Sequence, residues 1–468
     1  MADGCFQNGH QGGRQKMSIV SIIRKLFKAP ALPKPTAQYD VVYFDNLVNI
    51  LRLYFNQLDS LLEQIVATSG TAIPISIGGA NVDAFNRLRV SDAYTLFDSQ
   101  NRYAKNDLWS ETTATGGTIT YDANASTVQL NVTTTSGSEV VRQTFRSFSY
   151  QPGKGLLNLN TFAMDAAKTG LRTRVGYFNT GNGVFLERAD STIRFVRRSS
   201  TSGSPVDVVV DQANWNGDKL DGTGNSGFTL DLTKAQIMWM DFEWLGVGTV
   251  RCGFVIDGQF IICHTFNNAN ALNSVYMTTA ILPVRYEITN TGTTASSSTL
   301  NQICSSVISE GGYEKKVALD VARMTTANTG IGTSFVPLVS IRLASGRTGA
   351  VVIPDGYSVL PTAASSTTFE IVLVKNPTLT GASWVATTSS NVEADLSATS
   401  FTGGTIVQQQ YVLSSTLSSG LTAGGSDYNW DLQLGATIGG TSDIYTLAVR
   451  SLSGTHTAIG SLSFWDLT

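Results

Sequence analysis

Two carboxylates, Asp241 and Glu243, stand one residue apart in the run WMDFEWLG. In an extended strand alternate side chains share a face, which would put these two roughly 7 Å apart. Such a pair suits the acid and the nucleophile or base of glycoside hydrolysis. The same alternation has a plainer meaning, which is preferred: Met240, Phe242 and Trp244 fill one face of a half-buried strand, and the acids lie on its polar side. Three histidines limit other catalysis. His10 falls in a polar, Gly-rich tail, and neither His264 nor His456 has a GxSxG nucleophile elbow to serve. His264 reads as a strand residue. Histidines so few and so separated do not make a metal cluster.

Asn214, Asn216, Asp218, Asp221 and Thr223 concentrate oxygen ligands in NWNGDKLDGTGNSG. The first three are spaced as in a calcium loop, but Lys219 stands where an EF-hand needs glycine and no glutamate closes the loop. A turn-rich loop is the better account, and calcium binding there stays open. Arg87, Arg89, Arg142, Arg146, Arg172, Arg174, Arg194, Arg197 and Arg198 could form a phosphate-binding surface. No nucleic-acid motif accompanies them, so ion pairs across a sheet face or between subunits are expected instead. The GxG runs have no βαβ context for a nucleotide. No catalytic, cofactor-binding or metal-ligating residue is therefore assigned, and neither an enzymatic activity nor a nucleic-acid partner is expected.

The elements that would carry these residues are mostly strands. Short alternating runs such as TVQLNVTT, LRTRVGYF, IMWMDFEWL and VYMTTAILPVRYEIT follow one another to about residue 312, punctuated by Gly and Asp-Gly turns. The clearest hairpin is VRCGFVIDGQFIICHTF, turning at Asp257-Gly258. This predicts a large antiparallel sandwich over 73–314. A second set, including GAVVIP, TFEIVLVKN, GGTIVQQQYVL and YNWDLQLG, predicts seven or eight strands in a smaller C-terminal sandwich or jelly roll over 315–468. Cys5, Cys252, Cys263 and Cys304 form no CxxC pair. Cys252 and Cys263 could face each other in a disulfide, but buried free thiols are expected.

Ahead of the strands, Phe44, Leu47, Leu51, Tyr54, Leu58, Leu61 and Ile65 alternate three- and four-residue steps. That is a coiled-coil seam, predicting an oligomerisation helix within 39–72. A parallel stripe through Val48, Phe55 and Leu62 widens it and favours three chains over two. Upstream, Ile19, Ile22, Ile23, Leu26 and Phe27 fall on one helical face beside Arg24, Lys25 and Lys28. Pro30, Pro33 and Pro35 then give a stiff spacer, so 1–38 reads as a basic docking arm, with Met17 an alternative start. Charged residues are only 14% of 468 and the net charge is −3, which leaves no general pull toward nucleic acid or anionic membranes. No apolar run reaches the roughly 18 residues of a membrane span, and MSIVSIIRKLFK makes a poor signal peptide. Release by assembly into a virus particle is therefore expected.

Several stretches carry a resemblance: GGANVDAFNRLRVSDAYTLFDSQNRY, VVRQTFRSFSYQPGKG, RVGYFNTGNGVFLE, LDGTGNSGFTLDLTKAQI, EWLGVGTVRCGFVIDGQFIICHTF and LPVRYEITNTG. Together with the QYDVVYFDNLVNILRLYFNQLD helix, they resemble a family of tailed-bacteriophage virion structural proteins common in phages of cyanobacteria and other aquatic bacteria. The LGVGTVRCGFVIDG hairpin also resembles concanavalin-A-like sandwiches. The resemblance implies a virion component with no active site, without fixing its place in the particle. Taken with the helical seam and the β pattern, the expected protein is a mainly β, homotrimeric, non-enzymatic tail-fibre or baseplate-associated protein on the virion exterior. Its arm would dock to other virion proteins, without membrane insertion, and its body could meet a host-surface glycan, for which Trp215, Tyr103 and Tyr177 are the aromatics to examine. A capsid decoration or head fibre, and a glycan-degrading tailspike, are the alternatives.

Overall fold

In the computed structural model, the structure describes residues 41–69, 82–83, 92–314, 319–363, 366–387, 390–414, 422–425 and 430–468, with side chains omitted for 57–69, 422–425 and 430. The docking residues Ile19, Ile22, Ile23, Leu26 and Phe27 lie outside them. Two compact units emerge, 1–76 and Ile77–Thr468.

Helix α1 (Val41–Ser69) runs for 29 residues without glycine or proline, and the sequence continues with Gly70, a common stop. No side chain between Val41 and Asn56 is buried. Of the seam, Phe44 is exposed and Leu47, Leu51 and Tyr54 are half-buried, while the side chains of Leu58, Leu61 and Ile65 lie outside the described set. Val42 and Phe55 are 66% and 58% exposed.

The first sandwich holds β1 (Ala93–Gln100), β2 (Trp109–Ala114), β3 (Thr118–Asp122), β4 (Thr127–Val132), β5 (Glu139–Thr144), β6 (Gly155–Met164), β7 (Leu171–Phe178) and β8 (Gly183–Ala189). It continues with β9 (Thr192–Ser199), β10 (Val206–Asp211), β11 (Gln236–Phe242), β12 (Val250–Ile256), β13 (Gln259–Phe266), β14 (Val284–Asn290) and β15 (Ser298–Glu310). One sheet runs β13-β12-β11-β6-β15-β4-β3, with β1 also on β15; the other runs β10-β9-β8-β7-β14-β5-β2. Alternation supplies the core between them: Phe162, Met238, Met240, Phe242 and Phe254 meet Val175, Tyr177, Leu186, Tyr286 and Ile288. Each such side chain stabilises the fold by roughly 1.5–3 kcal/mol.

The β12–β13 hairpin turns as its residues require, since Asp257 and Gly258 both have positive φ (50° and 74°) and Ile256 pairs with Gln259. Two expectations need correction. The strand predicted across VYMTTAILPVRYEIT begins only at Val284, because Pro283 has no N–H for a ladder and the chain before it loops back to bridge Leu282 with Phe148. The strand predicted through WMDFEWL stops at Phe242, where a turn closes with the Gly248 N–H on the Trp244 carbonyl at 2.8 Å.

The second pair of sheets contains β16 (Leu319–Arg323), β17 (Asn328–Ile331), β18 (Val336–Leu343), β19 (Val352–Thr362), β20 (Thr367–Lys375), β21 (Thr378–Thr380) and β22 (Val385–Ala386). It is completed by β23 (Val392–Asp395), β24 (Ser400–Thr402), β25 (Thr405–Ser414), β26 (Thr422–Gly425), β27 (Ile444–Ser451) and β28 (His456–Asp466). Their orders are β16-β28-β19-β26, with β17 on β28, and β22-β23-β18-β27-β20-β25; β21 and β24 form a small hairpin. Seven or eight strands were too few: short pairs such as β21–β24, TLT against SFT, are only three residues long and give no repeated alternation to announce them. The described part of YNWDLQLG is a short 3-10 turn, Trp430–Leu432, followed by coil rather than a strand. Pro354 is accommodated in β19 where the register shifts against β28.

Within Ile77–Thr468 the two pairs of sheets share apolar and polar contacts. Val351 and Ile353 pack into the first core, the Ala436 N–H donates to the Phe145 carbonyl at 2.8 Å, and Gln433 donates to the Ser147 carbonyl at 2.7 Å.

Candidate functional site

Asp241 and Glu243 do not form a working pair. Asp241 is 0% exposed on the outward face of β11, opposite Arg251 of β12, whose Nε donates to its carboxylate at 3.0 Å. The Arg251 guanidinium also donates to the Val82 carbonyl, and buried Val82 and Asp83 cover this end of the sheet. Gly155 leaves room here: a Cβ on it would sit 3.1 Å from Glu310 and 3.6 Å from Asp241. Glu243 lies beyond the strand, accepting the Thr249 N–H at 3.2 Å, and burial raises its pKa. A buried, ion-paired carboxylate cannot meet a sugar without opening the fold. The half-buried polar face expected for these acids is thus corrected at Asp241, because the segment at 82–83 covers it.

The remaining candidates hold structure together. His264 is buried with its ring edge-on to Phe266, accepts the Asn216 N–H at 3.4 Å, and is held by burial at a pKa of about 4. His456 contacts the Ser453 carbonyl at 2.7 Å. Cys252 and Cys263 are buried free thiols, with burial raising both pKa values; Cys263 occupies a bulge opposite the Cys252–Gly253 step. In the 214–227 loop, Asp218 accepts the N–H groups of Leu220 (2.9 Å) and Ser226 (2.7 Å), Asp221 accepts from Thr223, and Asn216 pairs with the Thr265 backbone. Burial works against the Asp218 carboxylate, yet these donors win and its pKa falls. The Asp218 and Asp221 carboxylates are spent on the loop's own turns, and Asn216 on β13.

Arg87 and Arg89 lie outside the described residues, and several of the described arginines pair across the outward face of the second sheet. Arg174 reaches Glu187 at 2.5 Å and Glu287 at 3.2 Å; Arg194 also holds Glu187, and Arg172 and Arg285 also hold Glu287. Burial would raise the Glu287 pKa, but Arg285, Arg174 and Arg172 together lower it. Beneath them, Arg174 and Arg198 each lie 5.3 Å from the Phe185 ring. Arg142 is fully buried, ion-paired with Glu111 and 5.3 Å from the Trp109 ring.

Of the three aromatics singled out for glycan contact, Trp215 and Tyr177 are core. Trp215 stacks 4.7 Å from Phe195, and the Tyr177 hydroxyl donates to the Ala280 carbonyl at 3.0 Å. Tyr103 is 85% exposed under Arg102.

A different aromatic group does line a cleft of about 480 Å³, where the β5–β6 connection and the loop before β14 meet the last residues of the chain. Tyr150 and Trp244 stand edge to face, 6.0 Å apart, and the Trp244 N–H donates to the Tyr150 hydroxyl at 3.1 Å. The Trp244 indole donates to the Met277 carbonyl at 3.2 Å. Tyr313 donates to Ser149 at 2.8 Å, Thr278 and Thr279 lie on the wall, and the Asp466 carboxylate accepts the Asn391 N–H at 2.7 Å. Aromatic rings beside hydroxyls, with the Asp466 carboxylate already engaged by an amide, suit an uncharged polyhydroxylated ring. Sequence reasoning missed this cleft because its aromatics come from SYQPG, EWLG and GGYEK, none of which signals the others.

No protein-family model matches the chain, and no curated protein does. Among solved structures, the chain is similar to the Emp47p carbohydrate recognition domain (9% identity, 47% of this chain and 98% of that one, TM-score 0.31). It is also similar to a β-1,3-glucanase from Mycobacterium marinum (11%, 46% and 98%, TM-score 0.32) and to the receptor binding domain of botulinum neurotoxin D (9%, 47% and 50%, TM-score 0.28). Likeness at these scores carries no argument for this chain.

Proposed function

We propose that the chain is a non-enzymatic structural component of a tailed-phage particle, present as a homotrimer and belonging to a tail fibre or baseplate. In this reading the 1–38 arm docks to other virion proteins, α1 bundles the copies, and the β body presents the Tyr150–Trp244–Tyr313 cleft to a neutral host-surface glycan. The observation that carries it is α1: 29 residues of helix with a heptad seam, none of whose described side chains is buried. Such a stripe reaches a low free energy only against other helices. The buried Asp241–Arg251 pair speaks against the glycan-degrading alternative.

Light scattering on the full chain tests the reading. The expected mass is three chains, falling when Leu47→Asp and Leu51→Asp break the seam while the β-sheet circular dichroism stays unchanged. An unchanged mass would refute the bundling role of α1. For the cleft, Trp244→Ala should abolish retention on neutral-glycan arrays and Tyr103→Ala should not; equal retention by both would remove the cleft from the reading. Locating the chain in a reconstruction of an intact particle separates tail from capsid exterior.

A further inference from the structure

A second cleft, of about 160 Å³, lies beside the aromatic one. Phe148 is buried and its N–H donates to the Leu282 carbonyl at 3.0 Å, so alternation turns its neighbours Ser147 and Ser149 together to the opposite face. Ser149 lines the aromatic cleft and Ser147 the second.

The same three segments build both. Residues 143–152 run along each, with Gln143, Phe145 and Ser147 in the second cleft and Ser149 to Pro152 in the first. The chain leading into β14 gives Thr278 to Ile281 to the first, and Pro283 and Arg285 to the second. The C-terminal sheets give Leu467 and Thr468 to the first, and Thr348 and Gly349 to the second. This last wall is held as one piece: the Leu467 N–H donates to the Val351 carbonyl at 2.8 Å, and the Val351 N–H donates to the Thr468 hydroxyl at 3.0 Å.

The second cleft is polar without net charge. Among the described residues, Arg285 is its one charged lining group, and its guanidinium is spent on Glu287 at 2.9 and 3.1 Å and on Gln143 at 3.1 Å. Amides and hydroxyls remain, from Ser147, Asn179, Thr180, Thr348 and Thr437. Such mixed donors and acceptors match the hydroxyls of a neutral sugar ring.

We infer that the second cleft is a further subsite for the same ligand, so that the site takes an extended neutral oligosaccharide of about four rings rather than a single sugar. This rests on the glycan reading of the aromatic cleft. Ser147 and Ser149 are two extended residues apart, about 7 Å, so one sugar chain can reach both clefts. A chain held at one end gains the second contact without a second association cost, and affinity then rises with length.

Gly349 allows the second cleft to be filled alone. A Cβ there meets nothing within 4 Å except the Ser147 hydroxyl, at 3.9 Å, so a larger side chain can enter without crowding the backbone. The test is calorimetric titration of the full chain with neutral glucan and galactan oligosaccharides of one to six units. Affinity should rise about tenfold between two and four units. Gly349→Phe, and independently Thr180→Trp from the side of the first sandwich, should remove that rise and leave two-unit binding unchanged, which also shows that the variants fold. Gly349→Ala should keep the rise. Affinity that stays flat from two to six units, or a rise that survives both filling substitutions, would overturn the extended site and leave the glycan reading standing. No binding at any length would defeat the glycan reading itself, and the extension with it.

Discussion

The Arg251→Met substitution gives the sharpest test of how the candidate carboxylate is held. Asp241 is completely buried, and Arg251, itself 8% exposed, bonds it from the directly opposed position of the neighbouring strand. Methionine keeps most of the side-chain volume but leaves a buried carboxylate without its guanidinium, a change that costs about 3–5 kcal/mol. With a urea slope of about 3 kcal/mol per molar, the denaturation midpoint should fall by about 1–2 M. Replacing both partners, Asp241→Leu with Arg251→Met, removes the charge together with its counter-charge. The double variant should therefore recover most of the loss, giving a coupling of about 2 kcal/mol or more in a double-mutant cycle. The assay is urea unfolding followed by Trp fluorescence and far-UV circular dichroism on all four chains of the cycle. A single variant as stable as the parent, or a double variant losing the sum of the two single effects, would refute the view that this pair is a closed structural unit. The glycosidase geometry would then have to be reconsidered.

Two further outcomes follow from the site geometry. His264 has its folded pKa depressed by burial to about 4, so the unfolded chain binds the extra proton first; stability should fall as pH drops from about 6.5 toward 4 and level off below, and His264→Phe should flatten that segment of the pH–stability profile. Gly253→Ala would place a Cβ 1.9 Å from the Ile261 carbonyl and 2.9 Å from the Trp239 indole nitrogen, so it should cost several kcal/mol and lower the melting temperature, whereas Gly258→Ala, with no atom within 4 Å of the new Cβ, should cost only the strain of its positive φ.

How much could be read in advance depended on range. The Asp257–Gly258 turn, the two-residue alternation of Met238, Met240 and Phe242, and the helical period between Phe44 and Ile65 are patterns within a few residues, and the sequence carried them openly. The three-residue strands β21 and β24 were too short to carry such a pattern, and Pro283 cut short a strand whose composition looked continuous.

The sequence by itself determined that this is a β protein preceded by a long amphipathic helix, because the side-chain period of each segment is fixed by its own backbone geometry. Only the tertiary structure decided which faces are open. Asp241 became a buried ion pair when Val82 and Asp83 covered its sheet. Tyr150, Trp244 and Tyr313 converged on one cleft from separate loops. These outcomes depend on sheet order, set by pairings as distant as Gly155 with Glu310, and no local period encodes contacts of that range.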